Sequence, residues 1–522
     1  MKLQVVLSLA LASALLFTMA ACGSANSSIS NAPIDPTVIT SSPSAVTPAG
    51  KDTLVFALDM EPASLDPYMH TKQQGFTTAT LMLETLIKKR ADGTFMPWLA
   101  KSWEFVDDTT VIFKLRDDVT FHDGSKFTAE DARYSLALGA ESSFSKTLFG
   151  SIDSVQTKAL DMYTLELKLQ SPYASLLEAL SSFRGAMLCK ASREAMGAEA
   201  YGRAPVGTGP MKFSRWIAGD RIEMDAYSGY WGEPLPFKKA VARIIVEASA
   251  RAIELETGGV DIAAELAFSD WDRIRKDPDT RLLSGESQSI SFILLNNSME
   301  PFTDIRVRQA LAHALDMDAL VRTVYQGNAT VADSYYIPSI LGYQKVGPME
   351  YNPVKSKQLL AEAGYSAGLT IPYYTTETQI NLSVAEVVKN MWGQVGVDVD
   401  IKIIDLATLT ALNNAGKCTV SCMAPAVAIP DPDAALMIWP IYRTISIRHN
   451  DPQVQKLLDQ GRVTYDTAQR AAVYGELQSY LFSKTYNIPV AFPKAAFGTR
   501  AYVTGLSFPP SLVLDLTQVR FS

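Results

Sequence analysis

The chain is poor in the two side chains that most often build metal sites and nucleophilic active sites. Its 522 residues include only 4 cysteines and 4 histidines. The histidines, which are spread over the chain, are His70, His122, His313 and His449. Neither a Gly-x-Ser-x-Gly nucleophile motif nor a His-Glu-x-x-His zinc motif occurs. The sequence therefore gives catalysis no positive support, and we expect a protein that is not an enzyme and has no cofactor.

A disulfide framework is also missing, because four cysteines are too few to build one. Cys418 and Cys422 are the pair that lies close in sequence. A turn between them would allow a disulfide, whereas a straight strand would hold them about 13 Å apart, which is too far for a bond. No neighbouring histidine or third cysteine completes a metal site. A disulfide, buried free thiols and a metal site all stay open for this pair.

The chain has no strong excess of one charge. It contains 47 lysines and arginines against 55 aspartates and glutamates, which gives a formal net charge of −8. The two signs are interspersed, and no basic stripe or arginine-rich arm occurs, which argues against a nucleic-acid partner. After the first residues there is no apolar stretch of about 20 residues, so we do not expect the body to span a membrane.

What the chain does have is the layout of a lipoprotein signal peptide over residues 1–22. Lys2 supplies an early positive charge, residues 3–17 are mostly apolar or small, and two alanines precede Cys22. We expect Cys22 to become the lipidated N terminus and to hold the protein outside the cytoplasm, on the outer face of the cell membrane or in the periplasm. An ordinary secretory signal with a chance cysteine is the alternative.

Residues 23–50 form a polar stretch rich in serine, threonine, proline and alanine, in which Asp35 is the single charged residue. Such a stretch has too little apolar surface to offset the entropy lost on ordering, so we expect a disordered tether. The body that follows, residues 51–522, is too long for one hydrophobic core and predicts two or three folding units.

Local patterns in the body predict strands that alternate with helices, and therefore an α/β sheet core. A helix is predicted over residues 73–89. Asp304 is placed to cap a helix that runs to about residue 325, and Pro353 suits the first turn of another. A strand is predicted over residues 397–404.

Three motifs that look like functional sites have simpler interpretations. Residues 121–124, Phe-His-Asp-Gly, predict a turn in which Asp123 bonds locally. Residues 207–210, Gly-Thr-Gly-Pro, lack the Gly-Lys-Ser/Thr ending of a phosphate loop and predict a close approach of two backbones. Residues 306–309, Arg-Val-Arg-Gln, predict packing and salt bridging rather than an anion clamp.

Four segments follow one another in a characteristic order. They are residues 97–104 (Pro-Trp-Leu-Ala-Lys-Ser-Trp-Glu), 205–210 (Pro-Val-Gly-Thr-Gly-Pro), 301–311 (Pro-Phe-Thr-Asp-Ile-Arg-Val-Arg-Gln-Ala-Leu) and 359–365 (Leu-Leu-Ala-Glu-Ala-Gly-Tyr). In this order and spacing they resemble the family 5, peptide/nickel type of ABC-transporter solute-binding proteins, over about residues 54–489. The resemblance implies a periplasmic-binding-protein-like α/β fold of class II, or cluster C, with two lobes joined by a hinge and an extra subdomain in lobe I.

The resemblance also implies bounds for these units. Lobe I is expected at residues 51–298 together with 487–522, with the inserted subdomain at about residues 78–202. Lobe II is expected at residues 299–486. A solute would bind in the cleft between the lobes, which close over it, and the closed, monomeric protein would dock on permease subunits that work with a cytoplasmic ATPase.

In the peptide-binding branch of the family, two charged side chains hold the ends of the peptide. An aspartate lies three residues before an Asp-Pro pair, here Asp431-Pro432, so its position is taken by Ala428. The position of the arginine is taken by Thr375, and that of an aromatic residue in the nickel branch by Ala426. We therefore expect a largely uncharged lining and weak binding of free dipeptides.

The resemblance implies ligand contacts from both lobes. The candidate residues are Tyr68, Gln74, Thr375, Thr376, Ala426, Ala428, Asp431 and Trp439. An oligopeptide or peptide-like solute is the expected cargo, with an oligosaccharide or a nickel or other metal chelate as alternatives. A hydrolase or a signalling receptor on the same scaffold is the alternative of a different class.

Replacing Cys22 with serine removes the thiol to which the lipid would be attached. We expect Cys22→Ser to move from the membrane fraction to the soluble extracytoplasmic fraction, and its intact mass to lack the acyl chains. Cell fractionation and mass spectrometry measure both effects, and Cys189→Ser serves as the control that stays with the membrane. A Cys22→Ser protein that remains membrane-bound would contradict the prediction.

Overall fold

The computed structural model describes residues 50–90, 92–424, 427, 429–436 and 450–522. The predicted signal peptide and almost all of the predicted tether lie outside these residues. So do Ala426, Ala428, Trp439 and His449. Of the helices that are described, none is both long enough and apolar enough to cross a bilayer.

The described strands fall along the whole body. In the first half they are β1 (Thr53–Leu58), β2 (Ile87–Lys89), β3 (Phe95–Pro97), β4 (Ala100–Asp107), β5 (Thr110–Leu115), β6 (Lys158–Asp161), β7 (Thr164–Lys168), β8 (Met211–Ile217), β9 (Arg221–Ala226), β10 (Lys239–Ile244) and β11 (Ile262–Ala263). In the second half they are β12 (Thr280–Glu286), β13 (Ser291–Leu295), β14 (Ala329–Val331), β15 (Leu369–Thr375), β16 (Val397–Ile403), β17 (Val420–Met423), β18 (Asn487–Arg500), β19 (Val503–Thr504) and β20 (Arg520–Phe521).

Helices lie between these strands. Up to the middle of the chain they are α1 (Gln73–Ala79), α2 (Ala129–Glu141), α3 (Lys146–Phe149), α4 (Leu176–Ser181), α5 (Lys190–Met196), α6 (Ala198–Arg203), α7 (Ala248–Glu256) and α8 (Trp271–Lys276). Beyond it they are α9 (Ile305–His313), α10 (Met317–Tyr325), α11 (Pro353–Glu362), α12 (Gln379–Gly393), α13 (Leu406–Ala415), α14 (Pro432–Leu436), α15 (Pro452–Val463) and α16 (Thr467–Lys484).

One large mixed sheet runs through the body in the order β16-β15-β17-β13-β18-β11-β1-β10-β9-β8. The long strand β18 belongs to both halves of this sheet. Residues 487–491 of β18 pair with β13, whereas residues 494–500 pair with β12. The half that contains β1 forms lobe I and the half that contains β15 forms lobe II, so the predicted α/β fold with two lobes is confirmed. The residue bounds of the lobes stay predictions.

Lobe I carries a second, smaller sheet. Strands β4, β5, β7 and β6 form this antiparallel sheet in that order, and Val111, Phe113 and Leu115 of β5 point into the core of lobe I. The clean alternation of apolar and polar residues in β5 arises because one face of the strand is buried. This sheet lies within residues 78–202, where the family resemblance places the extra subdomain, and that subdomain and its bounds stay a prediction.

The helix predicted over residues 73–89 is wrong beyond Ala79. The carbonyl of Met82 accepts a hydrogen bond of 2.9 Å from the main-chain N–H of Gly209, which ends the helical pattern. Residues 81–87 are all buried. Their apolar character therefore reflects a segment that is enclosed on every side, which periodicity cannot distinguish from a buried helix.

Caps at the start of the lobe II helices follow the prediction, although one long helix is divided. Asp304 accepts a hydrogen bond from the N–H of Arg306 and begins α9 as expected. The chain then leaves the helix after His313, and Asp316 caps a separate helix, α10. Pro353 occupies the first turn of α11, as predicted.

The three structural motif interpretations are confirmed. Asp123 accepts a bond of 2.9 Å from the N–H of Ser125 in the predicted turn. A Cβ atom on Gly209 would lie 2.7 Å from the carbonyl oxygen of Leu81, so the two backbones approach too closely for a side chain. Arg308 is buried, and its guanidinium donates to main-chain carbonyls instead of holding an anion.

A buried carboxylate joins two of the family segments. Glu84 is only 4% exposed. Trp98 and Trp231 donate indole N–H bonds of 2.8 and 3.0 Å to it, and the hydroxyls of Thr208 and Tyr230 donate bonds of 2.8 and 3.0 Å. Burial raises the pKa of Glu84, and hydrogen bonds oppose that rise.

Because an amide nitrogen cannot accept a hydrogen bond, Glu84→Gln leaves part of this donor set without an acceptor. We expect it to lower the free energy of unfolding of lobe I by about 2–4 kcal/mol. Urea unfolding followed by tryptophan fluorescence measures the loss. Glu104→Gln, an exposed position on β4, is the matched control that should stay within about 0.5 kcal/mol of wild type. Equal midpoints for the two variants would contradict the prediction.

Candidate functional site

A cleft of about 1400 Å³ lies between the two lobes. This volume is ample for a small solute together with water. The lining includes residues 71–73, 76, 88–90, 96, 98, 178, 181–184, 265 and several of residues 505–518 from lobe I, and residues 376, 381, 406, 409, 422–424, 427, 429 and 430 from lobe II. Residues 288 and 289 line it where the chain passes between the lobes.

Thr376 is the predicted ligand residue whose side chain lines this cleft. Its hydroxyl accepts a bond of 2.7 Å from the amide of Asn381, which also lines the cleft. The side chain of the neighbouring Thr375 points away from the cleft, because successive side chains of strand β15 point to opposite faces of the sheet, and it is fully buried. Thr375 is therefore out of reach of a solute in this conformation.

Tyr68 and Gln74 lie behind the wall of lobe I. The Tyr68 hydroxyl donates a bond of 3.0 Å to the carbonyl of Ala186, and the side chain is 3% exposed. Gln74 is 7% exposed and donates a bond of 2.6 Å to Asp59. Tyr68 thus links the segment before α1 to residue 186, whereas Gln74 lines a small cavity beside the cleft.

Asp431 is engaged by other side chains of the protein. Arg470 donates bonds of 2.8 and 2.9 Å to its two oxygens, and the hydroxyl of Ser175 donates one of 2.7 Å. Since Ser175 belongs to lobe I, this cluster bridges the two lobes. The predicted ligand roles of Ala426, Ala428 and Trp439 fall on positions outside the described residues.

The expectation of a largely uncharged lining does not hold. It was drawn from two segments of lobe II, whereas the structure adds charged side chains from lobe I. These are Lys72, Lys88, Lys89, Arg90, Arg184, Glu178, Glu265 and Asp515. The expected weakness of dipeptide binding no longer follows, because it depended on a cleft without charge.

Two of the cleft acids are neutralised by cleft lysines. Glu178 pairs with Lys89 at 2.7 Å, and Asp515 pairs with Lys88 at 3.5 Å. Among the described residues, the remaining charges of the lining have no ion-pair partner. They are Lys72, Arg90, Arg184 and Glu265. These are three cations and one acid, so the net unpaired charge among these lining residues is positive.

Arg184 is held more firmly than the other unpaired cations. Its guanidinium lies 4.9 Å from the ring centroid of Phe76 and donates a bond of 3.3 Å to the carbonyl of Thr71. Burial between the cleft walls lowers the pKa of Arg184 to about 10, so it stays charged at neutral pH. Lys72 and Arg90 are exposed to solvent.

Sequence reasoning missed these charged residues because nothing local distinguishes them. Arg184 lies in a short turn after α4, between Phe183 and Gly185. A basic residue in a turn is ordinary surface composition. What singles out Arg184 is its lack of an acidic neighbour, and that depends on segments far away in sequence.

The two neighbouring cysteines are free and buried. Cys422 lies in β17, and burial raises the pKa of both Cys418 and Cys422 to about 11, which makes them poor nucleophiles at neutral pH. Across the residues that the structure describes, no group of three histidine, cysteine, aspartate or glutamate side chains could hold a metal ion.

Known proteins resemble the chain over most of its length. Residues 94–443 match the family described as bacterial extracellular solute-binding proteins, family 5 Middle. The glutathione-binding protein of Pectobacterium atrosepticum is 28% identical, over 90% of this chain and 95% of that protein. The nickel-binding periplasmic protein of Escherichia coli K12 is 27% identical, over 85% of this chain and 90% of that protein.

A solved structure agrees with the fold. The PBP AgaA from A.tumefacien R10, in complex with agropinic acid, superposes with a TM-score of 0.78 at 26% identity, over 90% of this chain and 99% of that one. The matched family covers more than half of the chain, and the two-lobed architecture with its cleft agrees with it. The chain therefore belongs to family 5 of the bacterial extracellular solute-binding proteins, which serve ABC importers.

Proposed function

We propose that this protein captures a small peptide-like solute that carries at least one carboxylate group, and delivers it to the permease of an ABC importer. In this proposal Cys22 carries the lipid that holds the protein outside the cytoplasm. The lobes close over the solute, and the role is binding without catalysis.

The observation that carries the proposal is the unpaired guanidinium of Arg184 in the cleft. A partly desolvated cation without a counter-ion favours an anionic partner, and a guanidinium matches the two oxygens of a carboxylate. The stacking of Arg184 on Phe76 limits the freedom of its side chain before a solute arrives. An uncharged oligosaccharide would leave this charge without a partner.

Relatives of the chain give the proposal chemical context. One is described as glutathione-binding, and another structure holds agropinic acid. Both ligands are small acids, and glutathione is a tripeptide with two carboxylates. A cleft whose unpaired charge is positive suits solutes of this class.

Contacts between the lobes support capture by closure. Ser175 of lobe I bonds to Asp431 of lobe II at 2.7 Å, and the main-chain N–H of Ala174 donates a bond of 3.0 Å to the carbonyl of Arg462. Such contacts can hold the closed state once a solute touches both lobes. Differential binding to that state is what shifts a hinge equilibrium.

Replacing Arg184 with glutamine removes the charge but keeps a hydrogen-bonding side chain. A hydrogen bond to a charged group contributes about 1.5–3 kcal/mol, so affinity for a carboxylate solute should fall roughly 10- to 100-fold. The solute released by acid from protein exported to a periplasm, starting at Lys51, identifies the cargo by mass spectrometry. Calorimetry with that solute, or with glutathione if the cleft is empty, gives the affinities.

Arg90→Gln is the matched control, because Arg90 is an exposed cation of the same cleft. It should bind the solute within about threefold of wild type, since an exposed charge is well screened. A released solute without a carboxylate, or equal affinity for wild type and Arg184→Gln, would overturn the proposal.

A further inference from the structure

The two walls of the cleft differ in their chemistry. Every charged side chain of the described lining belongs to lobe I. The described lining residues of lobe II carry no charge, and all but Thr376, Asn381 and the buried Cys422 are apolar. The side chains of Thr376 and Asn381 form a hydrogen bond of 2.7 Å with each other. Lobe II therefore offers a solute a mostly apolar surface.

This wall of lobe II lies at the carboxyl ends of three parallel strands. Strand β15 pairs in parallel with both β16 and β17, so the carboxyl ends of the three strands meet at one edge of the sheet. Thr376 follows β15, Ala424 follows β17, and α13 begins with Leu406 shortly after β16. The N–H of Ile404 donates a bond of 2.9 Å to the carbonyl of Thr375, which joins the end of β15 to the segment before α13. The crevice outside the carboxyl ends of parallel strands is the usual place for a ligand in an α/β sheet.

Three apolar side chains of the wall keep surface that solvent can reach. Leu406 is 56% exposed although it lines the cleft. Ala424 is exposed, and Met423 at the end of β17 is half-buried. One exposed leucine is ordinary on a protein surface, but Leu406 lies in a cleft beside other uncharged residues. A solute that fills the cleft removes this apolar surface from water, which is favourable in proportion to the area covered.

We propose that lobe II recognises an apolar side chain of the solute, which packs against Leu406, Met423 and Ala424 when the lobes close. The charged groups of the solute stay on lobe I, where Arg184 binds the carboxylate. The unbranched thioether of Met423 suits this role, because it adapts to side chains of different shape. The inference rests on the proposed function and deepens it, since it narrows the peptide-like acids to those that carry an apolar side chain.

The difference between the walls gives each lobe its own part in capture. The charges of lobe I attract a solute over about 8 Å at physiological ionic strength. Apolar contact needs surfaces that touch, so lobe II gains it only when the lobes close. A charged group pressed against lobe II would lose its hydration without meeting a counter-charge among the described residues. Acids with an apolar side chain therefore stabilise the closed state more than acids without one.

A mixture of tripeptides tests the inference without knowledge of the cargo. Each tripeptide contains two glycines and one variable residue, which is leucine, methionine, phenylalanine, serine, asparagine or glycine, and all are supplied at equal concentration. The protein is first dialysed free of co-purified solute, and the retained tripeptides are measured by mass spectrometry after ultrafiltration. We expect the wild type to retain the leucine, methionine and phenylalanine members roughly tenfold over the others, because a large apolar side chain is buried.

Leu406→Ser should reduce this preference to about threefold or less, because it removes the most exposed apolar side chain of the wall. Ile403→Ser is the matched control. Ile403 is 55% exposed and close to Leu406 in sequence, but it does not line the cleft, so the preference should stay as in the wild type. Both replaced side chains are exposed, and equal thermal unfolding temperatures of the two variants separate an effect on specificity from an effect on folding.

Equal retention of apolar and polar tripeptides, or an unchanged preference in Leu406→Ser, would contradict the inference. Arg184→Gln should retain less of every tripeptide and keep the preference for the apolar members. The same mixture made of tripeptide amides separates the two proposals. Amides retained as well as the acids count against the proposed function and not against the apolar wall, whereas a wild type that retains no tripeptide contradicts both.

Discussion

The buried carboxylate of Glu84 holds the wall on which the cleft depends. It lies between α1 and β2, and two indole groups and two hydroxyls converge on it from distant parts of lobe I. Trp98 is one of these donors and also lines the cleft, where Lys88 lies 4.0 Å from the centroid of its ring. A wall built on a satisfied buried carboxylate is rigid, because breaking any one bond leaves a polar group unpaired.

The chemistry of the cleft follows from which charges the fold neutralises. Glu178 and Asp515 form ion pairs with neighbouring lysines, whereas Arg184 and Glu265 have no ion-pair partner among the described residues. A charged side chain that has no counter-ion within the protein can form a charge-assisted hydrogen bond with the solute, and such bonds contribute to the binding free energy. A rigid wall with an unpaired cation therefore favours a solute that carries an anionic group.

Several parts of the fold could be predicted because their causes are local. The cap at Asp304, the proline at the start of α11 and the turn at Asp123 each depend on residues that are neighbours in sequence. The segment after Ala79 could not be predicted, since residues 81–87 are buried and the carbonyls of Leu81, Met82 and Glu84 pair with residues more than 100 positions away. Of the candidate ligand residues, Thr376 lines the cleft while Thr375 is buried, a difference set by alternation along one strand.

Three features belong to the sequence by itself. They are the order of the family segments, the alternation of strands and helices, and the lack of catalytic motifs. They determined the family and the two-lobed α/β fold, because these depend on patterns that persist along the chain. The tertiary structure alone decided which charges face the cleft without a partner. Ion pairing joins residues such as Lys89 and Glu178 that are far apart in the chain, and no local pattern records which residues those will be.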